Sequence, residues 1–259
     1  NFDSQYFYQK NNAINFDSLT ANFNYKNNKL SLVSELFFDK KNTINLNLNY
    51  NLNKDIKSKV IIKIDDISKI DNYYKNKNFF PEKGKINIAI DFLADYKTIL
   101  NNIYDFDLKT KIDIDKPKFS YVYKNEKIAE KIDSINLDLK YKNFLVDSSL
   151  KIKKNKSELL SNQKIDINTM LSGGNDSFGT VNLALKTFEV NDFNITKKII
   201  KITSGKIDNF MLNVDLFNDL EKTKANVVGD IIDLKMDKSK EGVDKIHINA
   251  KFDNNILNI

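Results

Sequence analysis

Apolar and polar residues alternate over long stretches of this chain. Within residues 44–50, for example, Ile, Leu, Leu and Tyr occupy the even positions and Asn occupies the odd ones. Because successive side chains of a β-strand point to opposite faces, a period of two places all the apolar side chains of a strand on one face. The pattern predicts a long run of antiparallel strands, each with one apolar and one polar face.

The alternation places strands along most of the chain, including separate strands at 105–115 and 117–124, at 163–170 and at 188–196. Two stretches break the pattern. Residues 95–104 carry apolar side chains at helical spacing after Asp95, which suits an N-cap, and residues 67–78 show a weaker version. The sequence therefore predicts one or two short helices lying over or beside a sheet.

Three architectures fit strands with one apolar face: a β-sandwich, a membrane barrel, and a long curled sheet whose apolar face lines a groove. The number of consecutive hairpin-linked strands favours the groove, with the sandwich as the alternative fold. The absence of tryptophan and the helical stripe disfavour the barrel. We expect one elongated segment over 1–259, cut from a longer protein, with a possible break near 154–176.

The residues expected to line this groove are the apolar members of the clearest alternating stretches. The candidates are Ile44, Leu46, Leu48, Tyr50, Ile86, Ile88, Ile90, Phe92, Phe106, Leu108, Ile112, Ile135, Leu137, Leu139, Phe210, Leu212, Val214, Leu216, Ile246 and Ile248.

Charge and composition argue against several classes of function. The net charge of +6 comes from 41 basic and 35 acidic residues whose signs are interleaved, so no basic patch predicts nucleic-acid binding. There is no cysteine, and the one histidine, His247, belongs to a polar strand face, so no zinc site is expected. Carboxylate pairs such as Asp105 and Asp107, or Asp113 and Asp115, share their face with lysines and read as a solvated surface. No nucleotide-binding or nucleophile motif is present, and we expect neither a cofactor nor an enzyme.

The last third of the chain resembles the AsmA-like superfamily of bacterial envelope proteins, in its YhdP/TamB-like branch. The resemblance rests on the runs S-G-K-I-D-N-F at 204–210, V-G-D-I-I-D-L at 228–234 and I-H-I-N-A-K-F-D at 246–253. The strand, short helix and strand over 86–108 are also similar to that family. The low glycine count departs from many of its members.

This resemblance implies a repeating β-groove protein of the periplasm that passes phospholipid between the inner and outer membranes. It implies anchoring in the inner membrane through a segment outside this chain. About 16 strands side by side would make a trough on the order of 80 Å long. The competing functions are a structural or adhesive surface protein and a fragment of an outer-membrane barrel.

Overall fold

The computed structural model describes residues 7–9, 12–14, 18–39, 42–51, 54–68, 79–95, 97, 105–123, 125–194, 202–236, 242–253 and 256–258. Strands dominate this part of the chain. They are β1 (Phe7–Gln9), β2 (Asn12–Ile14), β3 (Ser18–Lys26), β4 (Lys29–Asp39), β5 (Asn42–Asn51), β6 (Asp55–Ile64), β7 (Phe79–Asp95), β8 (Asp107–Tyr123), β9 (Glu126–Lys131), β10 (Ser134–Lys142), β11 (Leu145–Lys154), β12 (Ser157–Asp166), β13 (Ser177–Glu189), β14 (Ile202–Phe217), β15 (Lys224–Met236), β16 (Val243–Asp253) and β17 (Ile256–Asn258).

One antiparallel sheet of 15 strands contains β3 to β17. Its strands follow one another in chain order, except that β9 pairs only with β8, while β1 and β2 form a separate two-stranded sheet. The sheet curls but stays open, because its end strands β3 and β17 do not pair with each other. The predicted fold, a long curled antiparallel sheet, is confirmed. The alternative fold, a β-sandwich, is not what the described residues adopt, since β3 to β17 all belong to one sheet and not to two stacked sheets.

Asparagines make the tight turns that glycine would make in other chains. Asn27 and Asn28 both have positive φ, of 51° and 59°, and Asn143 and Phe144 repeat this geometry. Two consecutive residues with positive φ give the hairpin turn whose twist matches that of the flanking strands, and Asn tolerates this conformation best among residues with a side chain. Hairpin turns therefore lie at 27–28 and at 143–144.

Two long hairpins, β7–β8 and β14–β15, bend in the same way. In the first, Gly84 has φ of 140° and a Cβ added to it would lie 2.9 Å from the Cα of Pro117. In the second, Gly205 has φ of 141° and its added Cβ would lie 3.2 Å from the Cα of Leu234. The residue before each contact, Lys116 or Asp233, has positive φ. Register shifts accompany both bends, as expected where β-bulges turn a strand out of the plane of the sheet.

The strand predictions fail where the chain turns or bends. The strands predicted at 105–115 and 117–124 are one bent strand, β8, and the strand predicted at 188–196 gives way after Glu189 to a 3-10 turn, Val190–Asp192. The strand predicted at 163–170 ends at Asp166, whose carboxylate accepts from the amide of Thr169 at 3.1 Å and caps the helix α1 (Ile167–Ser172). Strand β11 pairs with β12 and β12 pairs with β13, with a register shift between Glu158 and Leu159, and α1 lies between β12 and β13 in the chain.

The two predicted helices lie mostly outside the described residues. The carboxylate of Asp95 accepts from the amide of Lys97 at 3.0 Å, as the predicted N-cap requires, but 98–104 lie outside them. Of the second stretch, only residues 67 and 68 are described, and they form a 3-10 turn. No helix in the described ranges is both long and apolar enough to span a membrane.

The protein exposes far more surface than a compact domain of its mass. Its accessible area is 17440 Å², whereas a globular protein of 30.0 kDa would expose about 11,700 Å². The described residues hold six buried apolar side chains: Ile67, Ala94, Ile128, Ile132, Tyr141 and Val190. A single layer of sheet explains both observations, because in the described part of the chain no second sheet packs upon most of its apolar face.

Candidate functional site

The apolar face of the sheet is organised as ladders that cross it perpendicular to the strands. The longest runs from β3 to β16 through directly paired residues, and one member in thirteen strands, Ser161, is polar. Its members are Leu19, Leu36, Ile44, Ile62, Ile88, Ile112, Leu137, Leu150, Ser161, Leu183, Leu212, Val227 and Ala250. Because each pair stands directly opposite across two strands, the side chains form one continuous apolar row.

A second ladder runs beside the first over eight strands, from β6 to β14. Its members are Ile64, Ile86, Ile114, Ile135, Ile152, Leu159, Leu185 and Phe210. A third, on the other side of the longest ladder, is mixed and includes Ser34, Leu46, Val60, Ile90, Thr110 and Leu139. The middle of the sheet face is therefore apolar across two neighbouring rows, apart from Ser161.

The apolar face is the concave one. Two small polar residues on its floor, Ser148 and Ser161, are only 8% and 5% exposed, although no second sheet covers them in the described chain. A serine on the floor of a single layer loses water only when longer neighbouring side chains converge above it. The lysines of the opposite face, such as Lys57 and Lys111, keep about 60% of their side chains exposed (62% and 59%), as expected on a convex surface.

All twenty residues predicted to line the groove fall on this face or at its edge. Nineteen of them are half-buried and Ile246, near the last strands, is 38% exposed. Phe106 lies one residue before β8 rather than in a strand, and its ring joins those of Phe92 and Tyr141 at centroid distances of 5.3 and 4.6 Å. The side chains stay partly open to solvent along the whole groove, which leaves them accessible to an apolar ligand.

About half of the residues that line the groove are not among the twenty predicted from the sequence. The omitted members of the two apolar ladders include Leu36, Ile62, Ile64, Leu150, Ile152, Leu159, Leu183, Leu185 and Val227. The same alternation was present around each of them. The alternation was less visible there because bulges interrupt β12 to β15. In β11 and β12, a serine also occupies one position of the apolar face, Ser148 or Ser161.

The convex face pairs its charges across strands. One row runs Lys59, Asp91, Lys109, Lys140, Asp147 and Lys164, and opposite signs face each other at every step but one. The carboxylates considered as acid–base pairs are engaged here: Asp113 accepts from the side-chain amide of Asn136 at 2.7 Å, and Asp107 pairs with Lys142 at 2.9 Å. These contacts describe a solvated charged surface.

Three carboxylates on this face, Asp55, Glu158 and Asp230, have lowered pKa values. His247 Nδ1 lies 2.9 Å from Asp230 Oδ1, and this hydrogen bond, together with Lys245, lowers the pKa of Asp230. Burial acts to raise the pKa of Glu158, but hydrogen bonds from Lys151, Lys186 and Lys153 outweigh it and leave that pKa below its ordinary value. His247 thus stands on the polar face, where the alternation places it. The described residues contain no cluster of His, Asp and Glu suited to a metal ion.

Comparison with protein-family models, with curated proteins and with solved structures gave no match.

Proposed function

We propose that this chain is a non-enzymatic lipid conduit, in which the acyl chains of phospholipids lie along the concave apolar face. The observation that supports this proposal most directly is the ladder of paired residues from Leu19 to Ala250. It offers an apolar surface that continues across 13 strands and is still half open to solvent. With 14 strands in sequence about 4.8 Å apart, the groove is about 60 Å long.

Elementary energetics suit this role. Each methylene group removed from water contributes about 0.8 kcal/mol, so a 16-carbon chain in water costs on the order of 12 kcal/mol. A lining that is apolar at every strand removes most of this cost wherever the chain lies. The ladder residues are nearly all Ile, Leu and Val, and this uniformity favours sliding over binding at one place.

The remaining parts of the proposal follow from the same picture. The charged convex face keeps a protein with an open apolar face in solution, and the resemblance to AsmA-like proteins supports a place in the periplasm between the inner and outer membranes. Anchoring would come from a segment outside this chain. The carboxylates and lysines of the convex face are engaged with one another, which supports a role without catalysis.

The experiment is to place charge on the groove floor. The triple variant Leu48→Asp, Ile88→Asp and Leu212→Asp puts three carboxylates on the concave face. A carboxylate opposes an apolar ligand because it would have to be desolvated. We expect the variant to lose uptake of a fluorescent phosphatidylethanolamine from vesicles of phosphatidylethanolamine and phosphatidylglycerol.

The control changes the neighbouring residue of each strand, which points to the convex face: Asn49→Asp, Ala89→Asp and Asn213→Asp. It adds the same charge to the same strands, and we expect it to take up lipid as the unmodified protein does. Equal uptake by both triple variants, or none by the unmodified protein, would show that the groove is not the lipid site.

A further inference from the structure

In the described chain, one rim of the apolar face, at the strand ends near β11 to β13, is covered. Beyond the bend at Gly84 and Pro117, the outer halves of β7 and β8 continue past their neighbours and β9 pairs with β8 from Lys118 to Tyr123. We call these three pieces the rim flap. Ile128 of β9 is 0% exposed and is one of only two fully buried side chains in the described chain.

The flap closes upon a seat made by the end of β11, the start of β12 and residues 190–194. The side-chain amide of Asn194 donates to the carbonyl of Ala129 in β9 at 2.5 Å. Within the seat, Asp192 accepts from the hydroxyl of Ser157 at 2.6 Å and from the side-chain amide of Asn155 at 2.7 Å. The seat is therefore tied to the sheet by its own hydrogen bonds.

A buried ion pair joins the flap to the seat. Glu130 of β9 contacts the ammonium group of Lys154 at the end of β11, and their side chains are 4% and 8% exposed. Lys154 lies on the concave face, in line with Leu150 and Ile152, and its ammonium group stands 4.7 Å from the ring centre of Phe193. Every other ion pair of the described residues includes a side chain that is at least a third exposed.

A buried ion pair is not the most stabilising contact that could hold this position permanently closed. Replacing a buried ion pair by apolar residues of similar size commonly leaves a protein equally stable or more stable, because the two charges must be desolvated to form the pair. The balance reverses when the two surfaces separate, since the charged groups regain their hydration whereas apolar groups would be left in water. A Glu–Lys contact thus lowers the cost of opening compared with an apolar contact.

We propose that the rim flap opens by hinging at the bend, that Glu130 and Lys154 form its latch, and that opening admits acyl chains sideways to the covered rim of the groove. The latch stands on the geometry alone, whereas the admission of acyl chains rests on the proposed function. The hinge residues are Gly84 and Lys116, whose backbone conformations mark the bend, and the outer strands move as one unit because Glu82 pairs with Lys118 at 2.7 Å and with Lys127 at 3.7 Å.

The latch is tested by variants that change flap opening in opposite directions, read out by hydrogen exchange of residues 126–131. The double variant Glu130→Leu with Lys154→Met should slow their exchange by about tenfold, because an apolar pair favours the closed state. Lys154→Met alone should speed it by about a hundredfold, because Glu130 is left buried without its cation. Lys154→Arg should exchange nearly as the unmodified protein does. Lys142→Met, which removes the exposed pair with Asp107, is the control and should leave these amides unchanged.

Uptake of the fluorescent phosphatidylethanolamine should follow flap opening, becoming slower in the double variant and faster in Lys154→Met. If flap exchange is the same in all variants, the latch is wrong. If exchange responds while uptake does not, the flap moves without admitting lipid and the proposal is overturned. A protein that takes up no lipid in any form overturns the proposed function and the admission step with it, whereas an exchange response would still establish the latch.

Discussion

The two bent hairpins share one bending device but differ in what lies beyond it. Both have a glycine with φ near 140° against the Cα of the opposite strand, and both are followed by the same register, Ile86 opposite Ile114 and Ile207 opposite Ile231. A 3-10 turn precedes each hairpin and contributes a buried residue, Ile67 or Val190. The two regions are thus copies of one structural unit.

Beyond the bend, the similarity ends. The first hairpin continues for several residues on each strand and gains β9, so that Ile128, Glu130 and Ile132 are buried. In the second, the described strands extend only from Ile202 opposite Met236 to the bend, and neighbouring Val243 and Ile246 are exposed. Among the described residues, cover of the groove accompanies the third strand, β9, and no such strand is described beside the outer ends of β14 and β15.

The largest effect should come from removing a side chain under the flap. Ile128→Ala deletes three buried carbons and should lower the free energy of unfolding by about 4 kcal/mol, because the cavity adds to the lost burial. Leu212→Ala, in the open part of the longest ladder, should cost about 1 kcal/mol because its side chain already meets water. Urea unfolding measures both values. Similar losses at the two positions would contradict the distinction between a covered and an open groove.

The cost of replacing the glycine at each bend should increase with how closely the opposite strand approaches that glycine. Gly84→Ala is expected to cost about 3 kcal/mol, since it combines a disfavoured φ with a backbone contact of 2.9 Å, and Gly205→Ala about 2 kcal/mol at 3.2 Å. Gly174→Ala serves as the control, because its φ lies outside the strained range and the nearest atom is 3.7 Å away. Thermal unfolding of the three variants gives the order, and a reversed order would show that the bends are not equivalent.

The smallest effect concerns the convex faces of the two halves, where Glu158 and Asp230 have lowered pKa values. A carboxylate with a lowered pKa in the folded protein contributes stability above its unfolded pKa and loses it as the pH falls through the folded value. Glu158→Gln should therefore reduce stability by less than about 1 kcal/mol at neutral pH and flatten the decline in stability on acidification below 4.5, the ordinary pKa of glutamate. Asp230→Asn should flatten it in the same direction. Stability measured between pH 7 and pH 3 checks both, and an unchanged acid decline would contradict the assignment.

The periodicity of the sequence was sufficient to predict the fold, because the alternation within each strand alone determines which of its side chains lie on the apolar face. The stretch 44–50 lies as predicted, and its pairing with β4 and β6 follows from short hairpins. The pair Asn27–Asn28 forms a tight turn for an equally local reason, because asparagine tolerates positive φ. The groove lining was recovered wherever a strand was regular, as at Ile88 and Leu137, since the pairing of regular strands continues the same face.

The bends escaped prediction because they depend on contacts distant in sequence. No residue near Gly84 in the sequence indicates that Pro117 will lie against it. The K-P step at 116–117 is equally typical of the end of a strand. The same arrangement occurs at Gly205, but the two regions share little more in sequence than G-K-I, at 84–86 and at 205–207. The ion pair between Glu130 and Lys154 was likewise invisible, because the stretch E-K-I-A-E-K at 126–131 does not alternate and Lys154 directly follows another lysine.

The near-equivalence of the ladder residues has a consequence for direction. A ligand resting on rows of Ile, Leu and Val meets almost the same environment after each displacement of about 4.8 Å, so its free-energy profile along the sheet has shallow wells and no overall slope. Motion on such a profile is one-dimensional diffusion. Any vectorial flow must then be imposed by a source and a sink at the two extremities, and not by the strands between them.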